Sequence, residues 1–224
     1  MTTIFLFDID MTLIRTNGAG LRAMNRAIRT LYGVDDAFAG IPFAGRTDGA
    51  ILRDCYLRHA LHDGDISPAV QRFREIYFGL LKEELVAGPA CDVLPGVPAL
   101  LEALAVRADV RLGLGTGNYR DAAEIKLRHV GLWDYFLDGG FADDSEDRAE
   151  VIAQAARRLG HDSGDRIWII GDSEHDVSAG VANGIPVIGV ATGSCSAETL
   201  TNAGAAAALP DLSDLPAFLA LTLA

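Results

Sequence analysis

An unbroken apolar run near the start of the chain is followed directly by acidic residues. Residues 4–7 are all apolar, which is typical of a central parallel strand covered on both faces. Asp8 and Asp10 come next and leave the extended segment on the same side. Two neighbouring carboxylates repel each other, and a hard cation such as Mg²⁺ relieves that repulsion. The same pattern also fits a solvated strand exit, and this stretch alone does not separate the two.

Between residues 16 and 87 the apolar positions recur at helical rather than strand spacing. The spacing predicts a first helix that ends near Gly33 and a second that Thr47 or Asp48 caps. A third is expected to start at Ser67 and Pro68, with the serine as its cap. We expect these helices to form a small cap over the end of the first strand, where they would select the substrate.

From residue 88 onward, predicted strands and helices alternate. Strands are predicted near 110–115, 166–170 and 185–190, with helices near 119–130 and 146–159. This alternation predicts an α/β fold, a Rossmann-like parallel sheet flanked by helices. The core domain would comprise 1–15 and 88–224, with a helical cap domain at 16–87. In such sheets, ligands bind beyond the carboxyl ends of the strands.

A glycine-rich turn follows the second predicted strand. Backbone N–H groups of Gly117 and Asn118, together with the Thr116 hydroxyl, can hold a phosphate at such a turn. Lys126 lies on or beside the apolar face of the next helix, where a lysine is costly to bury unless an anion meets it. Snorkelling to the surface is the alternative for this lysine.

Acidic residues also follow the predicted strand at 166–170. Asp172 and Asp176 are four residues apart, so they can address one point from the N-terminal end of a helix that begins between them. Acidic groups at two strand ends, an anion-binding turn at a third and one lysine between them describe a metal-assisted phosphoryl-transfer site.

Arg46 is the candidate substrate contact in the predicted cap. It stands on a glycine-flanked turn, from which its guanidinium can reach an anionic group of a substrate. The alternative is an arginine that pairs with Asp48 at a helix start or is solvated.

The composition of the chain limits the classes of molecule that it is expected to bind. The 224 residues carry 31 acidic and 19 basic side chains, a net charge of -12, which argues against nucleic acid and anionic membranes. Three widely spaced cysteines favour a reducing, cytoplasmic location. We expect no secretory signal, because no basic segment precedes an apolar run near the N-terminus, and no membrane-spanning helix, because no apolar stretch reaches about twenty residues. We expect a small phosphorylated metabolite as the partner of a monomer or weak homodimer.

The four motifs together resemble those of the haloacid dehalogenase (HAD) superfamily, and the helical insert resembles the cap of its phosphoglycolate phosphatase-like branch. The matching stretches are 8–13, 116–118, Lys126 and 171–176. Met11 departs from the pattern, because this branch usually has glycine at that position. A methionine there restricts the turn or narrows the mouth of the pocket.

The resemblance implies a role for each matching residue. Asp8 would be the nucleophile and Asp10 the general acid and base. Mg²⁺ would be held by the Asp8 carboxylate, the Asp10 backbone carbonyl and Asp172, with Asp176 in support. The transferring phosphoryl group would be bound by Thr116, Gly117, Asn118 and Lys126.

The resulting hypothesis is a Mg²⁺-dependent phosphatase that hydrolyses a small soluble phosphomonoester through an aspartyl-phosphate. A sugar phosphomutase could use the same site. A non-catalytic phosphate-binding or receiver-like module would explain the acids and the lysine, but not the cap, which serves to exclude water during turnover. A haloalkanoate dehalogenase activity is disfavoured, because the chain has Asp10, an acid/base needed to cleave a phosphate ester, and the acidic metal pair.

Overall fold

The chain forms strands and helices that alternate regularly after residue 90, in a computed structural model that describes residues 2–61, 64–162 and 164–223. The strands are β1 (Thr3–Phe7), β2 (Ile14–Arg15), β3 (Asp92–Val93), β4 (Val110–Gly115), β5 (Gly139–Gly140), β6 (Arg166–Gly171), β7 (Val187–Val190) and β8 (Ala207–Leu209). The helices are α1 (Ala19–Tyr32), α2 (Asp48–Arg58), α3 (Ser67–Ala87), α4 (Val97–Ala105), α5 (Arg120–His129), α6 (Arg148–Arg158), α7 (Glu174–Asn183), α8 (Ala197–Asn202) and α9 (Leu215–Leu223).

A parallel sheet in the strand order β5-β4-β1-β6-β7-β8 forms the core. Its middle strand, β1, is fully buried and pairs with β4 on one side and with β6 on the other. In that register Phe7 lies opposite both Leu114 and Ile170, so the three strands end side by side. The predicted α/β, Rossmann-like architecture is confirmed.

Helices cover both faces of the sheet. Phe5 and Phe7 belong to an apolar cluster with side chains of α4, α5 and α9, including Phe218. Ile4 and Leu6 belong to a second cluster, with side chains of α6, α7 and α8. Each fully buried side chain of this size contributes about 1.5–3 kcal/mol to folding. The unbroken apolar run of β1 is therefore required by the two layers that enclose it.

Helices α1, α2 and α3 form a bundle with an apolar cluster of its own. The bundle is joined to the sheet through β2 and β3, which pair antiparallel. Tyr119 and Ala122 at the start of α5 complete the cluster, so the bundle packs directly on the parallel-sheet part of the chain. The division into a cap at 16–87 and a core remains a prediction.

The helix ends agree with the sequence patterns, with one correction. Gly33 ends α1 in the left-handed conformation, and the Thr47 side chain caps α2 by accepting from the Ala50 N–H. Ser67, however, is the first residue of α3 and not its cap, because the Asp65 carboxylate accepts from the Ser67 N–H at 2.9 Å. None of the helices in the described ranges is long and apolar enough to cross a membrane.

Both the backbone conformation and the close packing require glycine at position 96, just before α4. Its φ is +81°, and a β-carbon there would lie 2.0 Å from the carbonyl carbon of Leu212. Gly131 has a similar φ of +74° but no atom within 4 Å of such a β-carbon. We expect Gly96→Ala to lower the free energy of unfolding by about 2–5 kcal/mol, because backbone strain and a backbone clash add.

Gly131→Ala is the matched control and should cost about 1–2 kcal/mol, since it adds backbone strain alone. Urea unfolding followed by circular dichroism measures both losses. Equal losses in the two variants would show that the contact of Gly96 with Leu212 is unimportant.

Candidate active site

The carboxyl ends of β1, β4 and β6 open into a cavity of about 730 Å³, which helices α1–α3 cover. Most of the residues predicted from the sequence line this cavity: Asp8, Asp10, Arg46, Gly117, Asn118, Lys126 and Asp172. Thr116 and Asp176 are fully buried beside it. The aligned strand ends explain why segments distant in sequence meet at one place.

Asp8 is buried against Arg148, a residue that the sequence patterns did not indicate. Arg148 Nη2 lies 2.9 Å from Asp8 Oδ1 and 2.6 Å from Asp176 Oδ1, and it donates to the Gly115 carbonyl at 2.8 Å. Burial raises the pKa of Asp8 to about 6, while Arg148 acts in the opposite direction. The guanidinium thus holds two carboxylates that would otherwise repel each other.

One sequence signal could have identified Arg148. It is the first residue of α6, directly after the N-cap Asp147. A cation at a helix N-terminus is opposed by the helix dipole, so an arginine at this position suggests anionic partners elsewhere in the fold. Those partners are Asp8 and Asp176, and they come from two different strand ends.

Asp10 takes part in a separate network with Lys126 and Asn118. Lys126 Nζ donates to Asp10 Oδ2 and to Asn118 Oδ1, both at 2.6 Å. Asn118 Nδ2 donates to Asp10 Oδ2 and to Thr116 Oγ1, both at 2.8 Å. Burial by itself lowers the pKa of Lys126, but Asp10 and Asp48 outweigh it, so the pKa is raised and the lysine stays charged.

Asp172 and Asp176 lie at the N-terminal end of α7, as their spacing predicts. Ser173 and Asp176 form a capping box, in which the Asp176 N–H donates to Ser173 Oγ at 3.3 Å and the Ser173 N–H donates to Asp176 Oδ2 at 3.2 Å. Ser173 Oγ also donates to Asp176 Oδ2 at 2.7 Å. Burial raises the pKa of Asp172 to about 8, and the charges of Asp8 and Asp176 add to the effect. Burial and the neighbouring negative charges therefore disfavour the ionised form of Asp172.

Carboxylate oxygens of Asp8, Asp172 and Asp176 all lie within 4.8 Å of one another. Oxygen ligands of this kind suit a hard divalent cation, and such an ion would lower the raised pKa values of Asp8 and Asp172. The donor set therefore fits Mg²⁺. The side chain of Asp10 faces Lys126 and does not belong to this group.

Arg46 lines the cavity, but its guanidinium already has partners. Arg46 Nη2 donates to Asp54 Oδ2 at 2.7 Å, and Nη1 donates to the Pro42 carbonyl at 3.2 Å. The alternative prediction that Arg46 pairs with Asp48 is wrong. Its ion-pair partner is Asp54, which lies further along α2. A contact between Arg46 and a substrate remains a prediction.

Gly117 lets the helical bundle approach the glycine-rich turn. A β-carbon at Gly117 would lie 2.2 Å from the Arg46 carbonyl oxygen. Next to it, the Asp48 N–H donates to the Gly117 carbonyl at 2.6 Å, and the Tyr119 N–H donates to Asp48 Oδ2 at 2.9 Å. The turn predicted to hold a phosphate is thus also the place where α2 docks.

Met11 adopts a left-handed conformation, with a φ of 63°, and lines the cavity. This backbone conformation favours glycine, which explains the usual residue at this position in the family that the sequence resembles. The methionine side chain accordingly occupies space at the cavity wall that a glycine would leave open.

Arg148→Met should destabilise the protein by about 3–5 kcal/mol in the absence of divalent metal. The substitution keeps part of the apolar stem of the side chain but leaves Asp8 and Asp176 buried without their shared cation. Chemical unfolding at pH 8 in EDTA measures the loss. Arg157→Met on the exposed side of the same helix is the control, expected within about 0.5 kcal/mol of wild type. A similar small change in both variants would contradict a charge-balancing role for Arg148.

The raised pKa of Asp172 predicts a pH dependence of stability in metal-free protein. Its pKa is about 8 in the folded chain and ordinarily 3.8. The folded state therefore binds more protons between these values, and stability falls as pH rises from about 4 to 8. In EDTA, the free energy of unfolding of Asp172→Asn relative to that of wild type should rise by a few kcal/mol from pH 5 to pH 8.5.

Unfolding free energies of both proteins at the two pH values test this dependence, and Mg²⁺ should reduce the difference. A constant gap between variant and wild type would show that Asp172 does not titrate in this range.

Comparisons with known proteins agree with this geometry. The family model described as "Haloacid dehalogenase-like hydrolase" matches residues 5–190. A phosphoglycolate phosphatase of Rhodospirillum rubrum is 30% identical over 223 residues, covering 96% of this chain and 90% of the relative.

Solved structures share the fold. A predicted phosphatase from Clostridium acetobutylicum superposes with a TM-score of 0.72 at 22% identity, covering 98% of this chain and 99% of the other. A putative beta-phosphoglucomutase from Thermotoga maritima superposes with a TM-score of 0.63 at 23% identity, covering 98% and 99%. The chain thus belongs to the haloacid dehalogenase superfamily and is a HAD-like phosphoric monoester hydrolase.

Proposed function

We propose that this protein hydrolyses a small soluble phosphomonoester through an aspartyl-phosphate on Asp8, with Mg²⁺ as its cofactor. The observation that carries the proposal is that Asp8 and Asp10, two residues apart, belong to separate charge networks. Arg148 holds Asp8, whereas Lys126 and Asn118 hold Asp10. Two carboxylates in different surroundings can perform different tasks in one reaction.

In the first step, an Asp8 carboxylate oxygen attacks phosphorus and the bond to the ester oxygen breaks. Asp10 in its protonated form gives its proton to the departing oxygen. Lys126 and Asn118 both contact Oδ2 of Asp10, so we assign the transferred proton to Oδ1. The Thr116–Asn118 turn and Lys126 would bind the phosphoryl oxygens and offset their charge.

In the second step, Asp10 takes a proton from water, and the resulting hydroxide attacks phosphorus. The bond between phosphorus and Asp8 then breaks, which releases inorganic phosphate, restores the Asp8 carboxylate and leaves Asp10 protonated for the next cycle. Arg148 keeps the released Asp8 carboxylate in place throughout, since it is buried and anchored to the Gly115 carbonyl. Positioning of this kind removes much of the entropic barrier.

Mg²⁺ would be held by Asp8 and Asp172, with the Asp10 backbone carbonyl as a further ligand. Asp176 would support the site, because Arg148 and Ser173 already occupy its oxygens. When bound, the ion supplies Lewis-acid stabilisation of the transferring phosphoryl group. Three carboxylates and one guanidinium leave two excess negative charges here, which one divalent cation neutralises.

We propose a cytoplasmic location, a small phosphorylated metabolite as the partner and a monomer or weak homodimer as the working state. The free thiols of Cys55, Cys91 and Cys195 support a reducing compartment. The net charge of -12 supports the absence of nucleic-acid and membrane partners.

Asp8→Asn should lower phosphate release by at least about a thousandfold, because the amide cannot form the aspartyl-phosphate. The measurement is release of inorganic phosphate from 4-nitrophenyl phosphate and a panel of metabolite phosphates, with Mg²⁺ or with EDTA. Asp134→Asn, at an exposed carboxylate, is the control and should retain wild-type rates.

Full activity in Asp8→Asn would exclude the proposed nucleophile, and full activity in EDTA would exclude the metal. Transfer of the phosphoryl group to a second sugar phosphate, without release of inorganic phosphate, would establish the mutase instead.

A further inference from the structure

Two polar groups from the helical bundle face the cavity, and the proposed phosphoryl-transfer steps use neither of them. Tyr77 on α3 is fully buried and lines the cavity. Its ring stacks on Phe73 with centroids 5.4 Å apart, which fixes its orientation. No side chain or backbone group in the described ranges hydrogen-bonds to its hydroxyl. Among the described residues, the fully enclosed side-chain atoms without a partner are Arg22 Nη2 and Arg148 Nε, so the Tyr77 hydroxyl borders the open cavity, where a ligand can hydrogen-bond to it.

Asp48 is the second group. It is 7% exposed, and its Oδ2 accepts from the Tyr119 N–H at 2.9 Å. Its other oxygen, Oδ1, receives no hydrogen bond from the residues that the structure describes. The carboxylate is held by the backbone contact of Asp48 to Gly117, so its position over the glycine-rich turn is fixed.

Both groups lie close to Lys126. A β-carbon built on Gly20 would be 3.8 Å from the Tyr77 hydroxyl oxygen and 3.8 Å from Lys126 Nζ. Burial raises the pKa of Tyr77, and the neighbouring Asp48 charge raises it further. Tyr77 is therefore a neutral phenol beside a carboxylate, on the same wall of the cavity as Lys126.

The cations that line the cavity offer little to a second anion on the substrate. Arg46 is paired with Asp54, Lys126 with Asp10, and Arg148 with Asp8 and Asp176. Arg15 also lines the cavity, but it is exposed, so water and salt screen its charge. A carboxylate on the leaving group would instead meet the Asp48 carboxylate.

Much of the remaining wall is apolar, with Met24, Ile41, Phe43 and Ile51 among its residues. The cavity volume of about 730 Å³ is far more than a two-carbon acid phosphate fills. Apolar walls with a few fixed polar groups suit a ring that carries hydroxyl groups, since the ring faces pack while the hydroxyls pair. A hydroxyl can donate to Asp48 Oδ1 and exchange a hydrogen bond with Tyr77.

We infer that Asp48 and Tyr77 form a leaving-group subsite for a neutral, hydroxyl-bearing ring, so that the substrate is a sugar or nucleoside phosphomonoester and not a carboxylate-bearing one. This inference rests on the proposed phosphatase function and names the substrate class of the same site. Asp48 acts twice in this arrangement. It accepts a hydrogen bond from the ring and repels a carboxylate.

The test compares kcat/KM for glucose 6-phosphate, a nucleoside 5′-monophosphate, phosphoglycolate and 4-nitrophenyl phosphate. Wild type should prefer at least one ring phosphate over phosphoglycolate by about tenfold or more. Tyr77→Phe keeps the ring, and Asp48→Asn keeps an acceptor for the Tyr119 N–H. Each should lose about tenfold on the preferred ring ester, the equivalent of one hydrogen bond. The factor by which kcat/KM falls on the ring ester should be at least five times the factor on 4-nitrophenyl phosphate, whose leaving group has no further hydroxyl to form these hydrogen bonds.

Tyr32→Phe is the matched control, because its hydroxyl contacts the Tyr56 hydroxyl away from the cavity. It should keep the wild-type preference. Asp48→Asn should also narrow the discrimination against phosphoglycolate, an effect that a merely structural role would not produce.

Two results separate this inference from the proposed function. If Asp8-dependent hydrolysis of 4-nitrophenyl phosphate is present but phosphoglycolate is as good as the ring esters, or if Tyr77→Phe loses equally on all esters, the subsite is wrong and the phosphatase stands. If folded wild type with Mg²⁺ releases phosphate from none of the esters, both proposals fail.

Discussion

The buried charge balance around Asp8 is the constraint on which the rest of this site depends. Asp8, Asp172 and Asp176 share a small volume with one guanidinium, Arg148. Burying so many like charges is unfavourable unless each has a partner, so the positions of the strand ends and of the first turn of α6 are all tied to one another. A divalent cation would complete the balance, and its binding would then be coupled to the stability of the core.

A second balance separates Asp10 from Asp8, although the two are close in sequence. Lys126 and Asn118 hold Asp10, and both arrive from the segment after β4, whereas Arg148 arrives from α6. The proposed nucleophile, Asp8, and the proposed proton carrier, Asp10, thus receive independent support. This arrangement resembles other enzymes in which two carboxylates perform different tasks because their environments differ.

The helical bundle acts on the same site from the opposite side. Asp48 contacts the backbone of Gly117 and Tyr119, so the bundle docks on the turn proposed to bind phosphate. The parallel sheet therefore supplies groups suited to phosphoryl transfer, while the bundle supplies the walls against which a leaving group would lie. Asp48 and Tyr77 are polar groups that the bundle places on that wall, and they are the basis of the substrate class inferred above.

The local pattern determined a large part of this protein. The alternation of strand and helix patterns predicted the parallel sheet. The acids after β1 and β6 and the glycine-rich turn after β4 placed most candidate residues, because strand ends in such a sheet meet at one edge. The short strands β5 and β8 were not predicted, since strands of two or three residues carry little periodicity. The helix α9 was not predicted either. Only the tertiary structure brought Arg148 to Asp8, paired Arg46 with Asp54 and turned Asp48 and Tyr77 into the cavity. These contacts join residues from separate segments of the chain, and a local sequence pattern does not show which side chains will be in contact.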